Sequence, residues 1–481
     1  DLKSGRLTDE EAYRYIHSLW TMIENRRTTV NGRIIVGGKG RKHPKEADVF
    51  LHIAMKVAKN CRYVEPQFTL RFDKETSEEI WDEALDALGA GATYPTLYND
   101  DVNVPAVMYG MRVDEKAAEQ YVPFGCTEFV IQGQSTGTPN ICINLLKLLT
   151  IYMNDGIDPI DGKRKSGPVP LKKLEEYQTF EEFYDGYKAL LDYYLDLSVK
   201  AQYHSYEVMN QHVSFLFTSL LTDDCIARGK ALLDGGVRYL GGTNETYGNI
   251  NTSDSLWVIR DLVFNQKKYT LRQLNDAMLA NFNGYEALRK DCLNCDKYGN
   301  DLETADTMAN DLYEFVAKGV RNRGIAIGMQ YFLIVISNNQ LNTEWGNRTA
   351  ASPDGRLSCM YMNPANNPQG GANKSGPTAM LNSLAKFDAK YHGGSVQNIK
   401  FSPSMFNENR AVIKSLFKTY FAKGGCHLMV TVVDKGVLED AVEHPENYPD
   451  LIVRVSGFSA VFVDLSPNIQ QELLSRVLYD E

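Results

Sequence analysis

Apolar residues recur along this chain at two periods, which predict helices alternating with short strands. Several segments open on a capping residue and continue with apolar residues three and four apart, as amphipathic helices do. Runs of β-branched and aromatic residues between them indicate strands. The predicted helices lie at 8–23, at 77–91, from 179 to about 221, and from near 270 and 304. The predicted strands lie at 33–38, 66–72, 328–337, 427–434 and 451–465. This alternation favours an α/β barrel or a layered sheet.

Three long segments rich in Pro, Gly, Asn, Ser and Thr interrupt the periodic pattern. They cover 93–110, 121–140 and 363–378, and we predict that all three are loops. Loops of this length inside a compact domain are usually functional.

Composition and charge narrow the class of protein. The 481 residues are 43% hydrophobic and 23% charged, which is ordinary for a soluble globular protein. A net charge of −10 argues against nucleic-acid and membrane-surface partners. Eight scattered cysteines suit a reducing compartment, and no apolar run is long enough to span a bilayer. The chain begins with Asp1, and its first twenty residues read as a charged helix rather than a signal peptide. We therefore expect a cytoplasmic protein.

Cys126 is the first candidate for chemistry, because it lies in the predicted loop PFGCTE. A free cysteine is most often a small buried hydrophobe. The alternative is a reactive sulfur with Glu128, two residues on, as a general base. No histidine lies near it in sequence, so a Cys/His pair gains no local support.

The other familiar motifs are incomplete. CLNC (292–295) has no second cysteine pair at metal spacing, and the eight histidines show no ligand pattern. VGGKGRK (36–42) and QGGANKSG (369–376) both miss the phosphate-loop consensus. The residues thus predict neither a metal site nor a bound cofactor.

Gly457 stands inside RVSGFSA (454–460), within an apolar run that otherwise reads as strand. A glycine there weakens the strand, and a bulge or a close backbone approach is the ordinary explanation. The window VRVSGFSA also fits the glycyl-radical signature of an arginine, a small residue, the glycine and an aromatic residue. The segments YNDDVNVP, GCTE, ASPDGRL, NKSGPTAMLNSLAKFD and HPENYPDLIVRVSGFSAVFVDLSPNIQQELLSR follow in the expected order. Over essentially its whole length, the sequence resembles the pyruvate formate-lyase-like glycyl radical enzymes.

The resemblance implies a ten-stranded α/β barrel with helices outside and two central loops that carry Cys126 and Gly457. It divides the chain into a barrel domain, 1–350, and a glycine radical domain, 351–481. Family members have several hundred residues before the active-site cysteine, whereas 125 precede it here. We therefore expect a barrel that is incomplete at its N-terminus, in a fragment, a piece of a split enzyme or a shortened relative.

The resemblance also implies a radical mechanism with no bound cofactor. A radical S-adenosylmethionine activating enzyme would install a radical on Gly457, which any β-carbon would crowd. The radical would take hydrogen from the Cys126 thiol, and the resulting thiyl would attack the substrate. The Cys-x-Glu pattern is typical of the family's dehydratases and other carbon–heteroatom lyases, in which Glu128 would take a hydroxyl proton. Formate acetyltransferases carry two adjacent cysteines, whereas Gly125 precedes Cys126 here.

These implications give one leading hypothesis and two alternatives. The leading one is an oxygen-sensitive radical lyase that cleaves a carbon–oxygen or carbon–nitrogen bond of a small polar hydroxylated substrate. The first alternative is a formate C-acetyltransferase or a decarboxylase with the same apparatus. The second is a non-catalytic radical-bearing subunit of a split enzyme. We expect a homodimer whose partners are the activating enzyme and a small-molecule substrate, which the sequence does not identify.

Overall fold

The computed structural model describes residues 1–26, 32–136, 139–337 and 340–480. The helices are Asp9–Asn25 (α1), Pro44–Cys61 (α2), Glu78–Gly89 (α3), Asp100–Met111 (α4), Glu115–Ala118 (α5), Leu145–Met153 (α6), Phe180–His212 (α7), Leu216–Leu220 (α8), Cys225–Arg228 (α9), Asn249–Val258 (α10), Leu271–Leu279 (α11), Glu286–Asn294 (α12), Glu303–Ala326 (α13), Leu341–Gly346 (α14), Gly376–Leu384 (α15), Pro403–Glu408 (α16), Arg410–Ala422 (α17), Lys435–Glu443 (α18) and Pro467–Ser475 (α19). The strands are Ile34–Gly37 (β1), Phe68–Phe72 (β2), Thr96–Asn99 (β3), Tyr121–Phe124 (β4), Glu128–Ile131 (β5), Pro139–Asn144 (β6), Gly241–Tyr247 (β7), Tyr331–Ile336 (β8), His392–Ser395 (β9), Asn398–Phe401 (β10), His427–Val432 (β11), Ile452–Arg454 (β12), Ser459–Val461 (β13) and Leu478–Tyr479 (β14).

Ten of these strands form two sheets. One has the order β1-β2-β3-β11-β10-β14, in which only the β3–β11 pair is antiparallel. The other has the order β6-β7-β8-β9 and is parallel throughout. Strands β2, β3 and β8 are buried along their whole length, as strands covered on both faces are.

The two sheets are joined through β9 and β10, which only two residues separate. The Val396 amide donates to the Ile336 carbonyl at 2.9 Å, and the Met429 amide donates to the Gln397 carbonyl at 2.8 Å. Val396 and Gln397 therefore connect the hydrogen bonding of one sheet to that of the other. Counted in this way, the strands follow one another as β1, β2, β3, β11, β9/β10, β8, β7 and β6. The arrangement is the predicted mixed α/β architecture, and the described residues supply eight strand positions with β1 and β6 at the two ends.

Several sequence-based boundaries are confirmed, and the first predicted loop is wrong. The predicted helix at 77–91 is α3, and the predicted strands at 33–38 and 66–72 are β1 and β2. Segment 93–110 contains β3 and α4, and that helix continues through Pro105. Its polar residues are bonded within the fold rather than solvated: Asp100 pairs with Arg71, and Asn103 donates to the Cys426 carbonyl.

Three further predictions are corrected by the structure. Segment 121–140 holds the hairpin β4–β5 and the start of β6, while residues 137–138 lie outside the described residues. The helix from 179 ends at His212, and Ser214 and Phe215 have positive φ before α8 begins. The predicted strand 451–465 is two short strands around a turn, followed by a helical turn.

The helices pack on the outside of the strands. The long helices α7 and α13 contact β6 and β8 respectively, and α10 packs against α13. Their buried side chains form one large core with the apolar residues of β2 and β8. No helix among the described residues is both long and apolar enough to cross a lipid bilayer.

Candidate active site

Cys126 occupies the tip of the hairpin formed by β4 and β5. Phe124 pairs with Glu128 across the hairpin, and the Thr127 amide closes the turn onto the Phe124 carbonyl at 3.0 Å. The turn needs positive φ on both sides of the cysteine, +51° at Gly125 and +104° at Thr127. A threonine rarely adopts that region, so the tip stores backbone strain at the position of the sulfur.

Gly457 occupies the tip of a second hairpin, β12–β13. Arg454 pairs with Ser459, and the Val455 amide donates to the Phe458 carbonyl at 3.1 Å. Gly457 itself is buried. The glycine thus lies in a turn rather than within a continuous strand, and this turn points into the protein.

The two hairpin tips touch each other. A β-carbon built on Gly457 would lie 2.5 Å from each of the Cα, Cβ and Sγ atoms of Cys126. Real β-carbons do not approach other heavy atoms that closely, so only glycine fits here. The structure therefore brings together the two residues that the sequence had singled out, although they are far apart along the chain.

The Cys126 thiol is kept neutral by its surroundings. It is 7% exposed and packs with Ala365, Val396 and Met429. Burial raises the pKa of this thiol far above its ordinary value, and the nearby carboxylates Glu128 and Glu245 raise it further. A neutral thiol is a donor of hydrogen atoms rather than a thiolate nucleophile.

Glu128 follows the turn and folds back beneath it. Its Oε2 atom would lie 2.8 Å from a β-carbon on Gly125, and this oxygen has no hydrogen-bonding partner among the described residues. Burial raises the pKa of Glu128 to about 8, with Glu245 acting in the same direction and Arg33 against it. Glu128 is thus a buried carboxyl that exchanges a proton near neutral pH.

Two arginines surround the hairpin tips. The Arg33 Nη2 atom donates to the Gly125 carbonyl at 2.7 Å and also to the Gln67 side chain. Arg454 is almost fully buried, where it donates to Ser459 Oγ at 3.3 Å and lies over the Tyr94 ring. The sequence reasoning included Arg454 only as part of the signature and missed Arg33, whose place just before β1 gave no signal.

The remaining sequence candidates lie elsewhere or serve the fold. Cys292 is buried, and the Cys295 sulfur donates to the Asp291 carbonyl at the end of α12. Within the described ranges, His52, Glu79 and Glu83 have ligand atoms within 4.8 Å of one another at the surface, a grouping that the sequence pattern did not indicate. His52 is already hydrogen-bonded to Glu83 at 2.8 Å, so this contact accounts for the grouping without a metal ion.

Comparison with known proteins identifies the family to which this chain belongs. The family model described as pyruvate formate lyase-like matches residues 1–341, and the glycine radical model matches residues 362–463. The chain belongs to the pyruvate formate lyase-like family, the glycyl radical enzymes, and its fold is their α/β barrel. The glycine radical segment includes Gly457.

Relatives of known activity are similar over nearly all of this chain. Trans-4-hydroxy-L-proline dehydratase of Clostridioides difficile is 28% identical over 99% of the chain and 62% of its own length. (2S)-3-sulfopropanediol dehydratase of Klebsiella oxytoca is 27% identical over 99% of the chain and 60% of its own length. The chain spans about three fifths of the length of these curated relatives.

Solved structures agree with that grouping. The glycerol-bound B12-independent glycerol dehydratase of Clostridium butyricum superposes with a TM-score of 0.89 at 28% identity, over 99% of this chain and 62% of its own. The substrate-bound hydroxyproline dehydratase of Clostridioides difficile superposes with a TM-score of 0.91 at 26% identity, over 100% of this chain and 63% of its own.

Proposed function

We propose that this chain carries the radical centre of a lyase that cleaves a carbon–oxygen or carbon–nitrogen bond in a small hydroxylated substrate. The observation that carries the proposal is the contact between Gly457 and Cys126, with the buried carboxyl of Glu128 beside the sulfur. The names of the dehydratases and sulfite-lyases among the relatives support the substrate class.

The proposed reaction begins with a radical on Gly457, installed by a radical S-adenosylmethionine activating enzyme. Gly457 takes a hydrogen atom from the Cys126 thiol, and the thiyl takes one from a substrate carbon that bears a hydroxyl. Glu128 accepts the proton of that hydroxyl, and the neighbouring carbon loses its leaving group. The product radical recovers hydrogen from Cys126, and Cys126 recovers hydrogen from Gly457, so each turnover restores the radical on Gly457.

The surroundings of the thiol support this sequence of steps. A neutral, buried thiol gives up a hydrogen atom without first losing a proton, and burial excludes the water and oxygen that would quench a radical. A cysteine at position 125 would place its β-carbon 2.8 Å from Glu128 Oε2. The geometry therefore favours the lyase over an acyltransferase with two adjacent cysteines.

The division into a barrel domain, 1–350, and a glycine radical domain, 351–481, is part of the same proposal. So are the activating enzyme and a second copy of the chain as partners, and the cytoplasm as the site of action. The hairpin β12–β13 lies in the second of these domains and Cys126 in the first, so the radical would pass between them.

Anaerobic activation followed by electron paramagnetic resonance tests the proposal. We expect a glycyl radical, turnover of at least one compound in a screen of small diols, hydroxyamines, isethionate and 2-oxo acids, and cleavage at Gly457 in air. Glu128→Gln is expected to keep the radical and lose turnover, whereas Glu79→Gln at the surface is expected to keep both. A fully active Glu128→Gln variant contradicts the base role. A radical with no turnover by the chain alone favours the radical-bearing subunit of a split enzyme.

A further inference from the structure

Strand β7 carries a buried carboxyl that the proposed reaction has not yet used. Glu245 is 2% exposed and lies in the segment GGTNETY, which contains no aliphatic residue yet is buried along its whole length. A charged residue in the middle of a buried strand is costly unless the site needs it. Sequence reasoning passed over it because the strand lacks the apolar pattern.

The alternation of β7 settles which face Glu245 occupies. Asn244 donates to Ser198 Oγ of α7 at 2.8 Å, and Thr246 lines a small cavity with α13, so these two residues face the outer helices. Successive side chains of a strand point to opposite faces. Thr243, Glu245 and Tyr247 therefore share the inner face of the sheet.

The inner face of β7 looks toward the Cys126 hairpin. A β-carbon on Gly393 would lie 3.6 Å from Thr243 Cγ2, and one on Gly394 would lie 2.3 Å from the Thr127 carbonyl oxygen. Thr127 and Thr243 therefore both lie against the glycine pair of β9. The hydroxyls of both threonines are buried without a hydrogen-bonding partner among the described residues. A polar substrate bound here would supply that partner.

Glu245 and Glu128 form a pair of buried carboxyls around the sulfur. The charge of Glu245 raises the pKa of both Glu128 and Cys126. Tyr247 donates its hydroxyl to Glu245 Oε2, and the Cys142 sulfur donates to the same oxygen at 3.7 Å. The two buried carboxyls are thus coupled, because the charge on one opposes ionisation of the other.

We propose that Glu245 is the proton donor to the leaving group, opposite Glu128 as the base, a role that rests on the proposed lyase function. Glu128 takes the proton of the retained hydroxyl as its oxygen becomes a carbonyl. The neighbouring carbon–oxygen bond breaks, and its electron pair leaves with the hydroxide oxygen, which takes the proton of Glu245 to give water.

The step balances without a further reagent. The unpaired electron begins on the carbon that bears the retained hydroxyl and ends on the neighbouring carbon, which the leaving group has vacated. That carbon then takes a hydrogen atom from Cys126. Glu128 gains one proton and Glu245 loses one, and return of that proton from Glu128 to Glu245 resets both carboxyls for the next turnover. No oxidant or reductant enters.

Glu245→Gln tests the assignment in the activated full chain. The probe is whichever of propane-1,2-diol and glycerol the wild type consumes, supplied in deuterated water so that the Cys126 thiol carries deuterium. We expect unchanged radical content and a fall of 100-fold or more in aldehyde formation. Deuterium should still enter the recovered diol, because the thiol that has taken hydrogen from the diol exchanges it with the deuterated solvent and returns deuterium, a cycle that needs no leaving group. Asp254→Asn, which alters another nearly fully buried carboxyl, is expected to keep turnover per radical.

The outcomes separate this inference from the function on which it rests. Turnover by Glu245→Gln within threefold of wild type overturns the donor role and leaves the lyase intact. Loss of deuterium exchange in parallel with turnover also overturns it, because it shows that the variant no longer positions the sulfur. A wild type that consumes neither diol removes the dehydration step and the inference with it.

Discussion

Arg33 donates a hydrogen bond of 2.7 Å to the carbonyl oxygen of Gly125, one residue before Cys126. This bond crosses from the start of β1 to the tip of the hairpin β4–β5 and fixes a turn that also stores strain at Thr127. In the proposed reaction the sulfur meets Gly457 on one side and a substrate on the other, so the position of this turn would control both hydrogen transfers.

Removing that bond should slow turnover more than it affects radical formation. In Arg33→Met the Gly125 carbonyl loses a charged donor worth about 1.5–3 kcal/mol, and we expect turnover per glycyl radical to fall roughly 10–100-fold. Product formation divided by the spin count measures the effect. Arg14→Met, at an exposed ion pair on α1, is the control and should leave the ratio unchanged. Equal ratios in the two variants would mean that Arg33 does not position the turn.

A methyl group at position 457 should disrupt the contact between the two hairpin tips. Gly457→Ala places a β-carbon 2.5 Å from three atoms of Cys126, and we expect a loss of about 1–3 kcal/mol in the free energy of unfolding. We also expect no radical after activation. Gly436→Ala, near the start of α18, makes the same chemical change with its closest contact at 3.1 Å to a side chain, and should change stability by less than about 1 kcal/mol. Urea unfolding of both variants measures the two losses. Equal losses would mean that the effect comes from replacing any glycine with alanine rather than from the clash with Cys126.

The stability of the protein should depend on pH through Glu128. Its pKa is raised to about 8 in the folded state from 4.5, so the folded protein holds a proton that the unfolded chain releases. The carboxyl therefore favours folding below about pH 4.5, and this contribution is lost as pH rises toward about 8, by at most about 1.4 kcal/mol per unit. Glu128→Gln lacks the titration. We would measure the free energies of unfolding of both proteins at about pH 5.5, 6.5, 7.5 and 8.5. The wild type should become less stable relative to Glu128→Gln as pH rises, and parallel curves would contradict the raised pKa.

The buried ion pair between Arg71 and Asp100 should matter more than its exposed neighbour. Asp100 accepts hydrogen bonds from Arg71 Nε at 2.9 Å and Nη2 at 2.7 Å, and from the Tyr121 hydroxyl at 2.8 Å. Asp100→Asn leaves the Arg71 charge buried and uncompensated, which should cost about 3–5 kcal/mol. Asp101→Asn alters a half-exposed pair with Lys39 and should cost less than about 1 kcal/mol. Equal midpoints in chemical denaturation would contradict the assignment.

Local sequence signals singled out Cys126, Glu128 and Gly457, and the structure brings these three residues together. Gly457 cannot carry a β-carbon beside Cys126, and Glu128 lies against Gly125, next to the cysteine. The mixed α/β fold followed from the alternation of helical and strand periods. The site roles assigned to these three residues stay predictions.

The misses have a common physical cause. In α4, Asp100 and Asn103 read as loop residues, but each is bonded to a distant partner, so their polarity did not report exposure to water. In β7, Glu245 is buried although no period of apolar residues marks the strand. Arg33 is likewise defined by its contact with Gly125, which lies more than ninety positions further along the chain.

The hairpin that bears Gly457 is hydrogen-bonded as a sheet only to itself, since β12 and β13 pair with each other and with no other strand among the described residues. Its displacement would break side-chain contacts such as that between Thr93 and Ser459 but no ladder of either large sheet. Under the proposed function, this pairing lets an activating enzyme receive the glycine while Cys126 keeps its own turn.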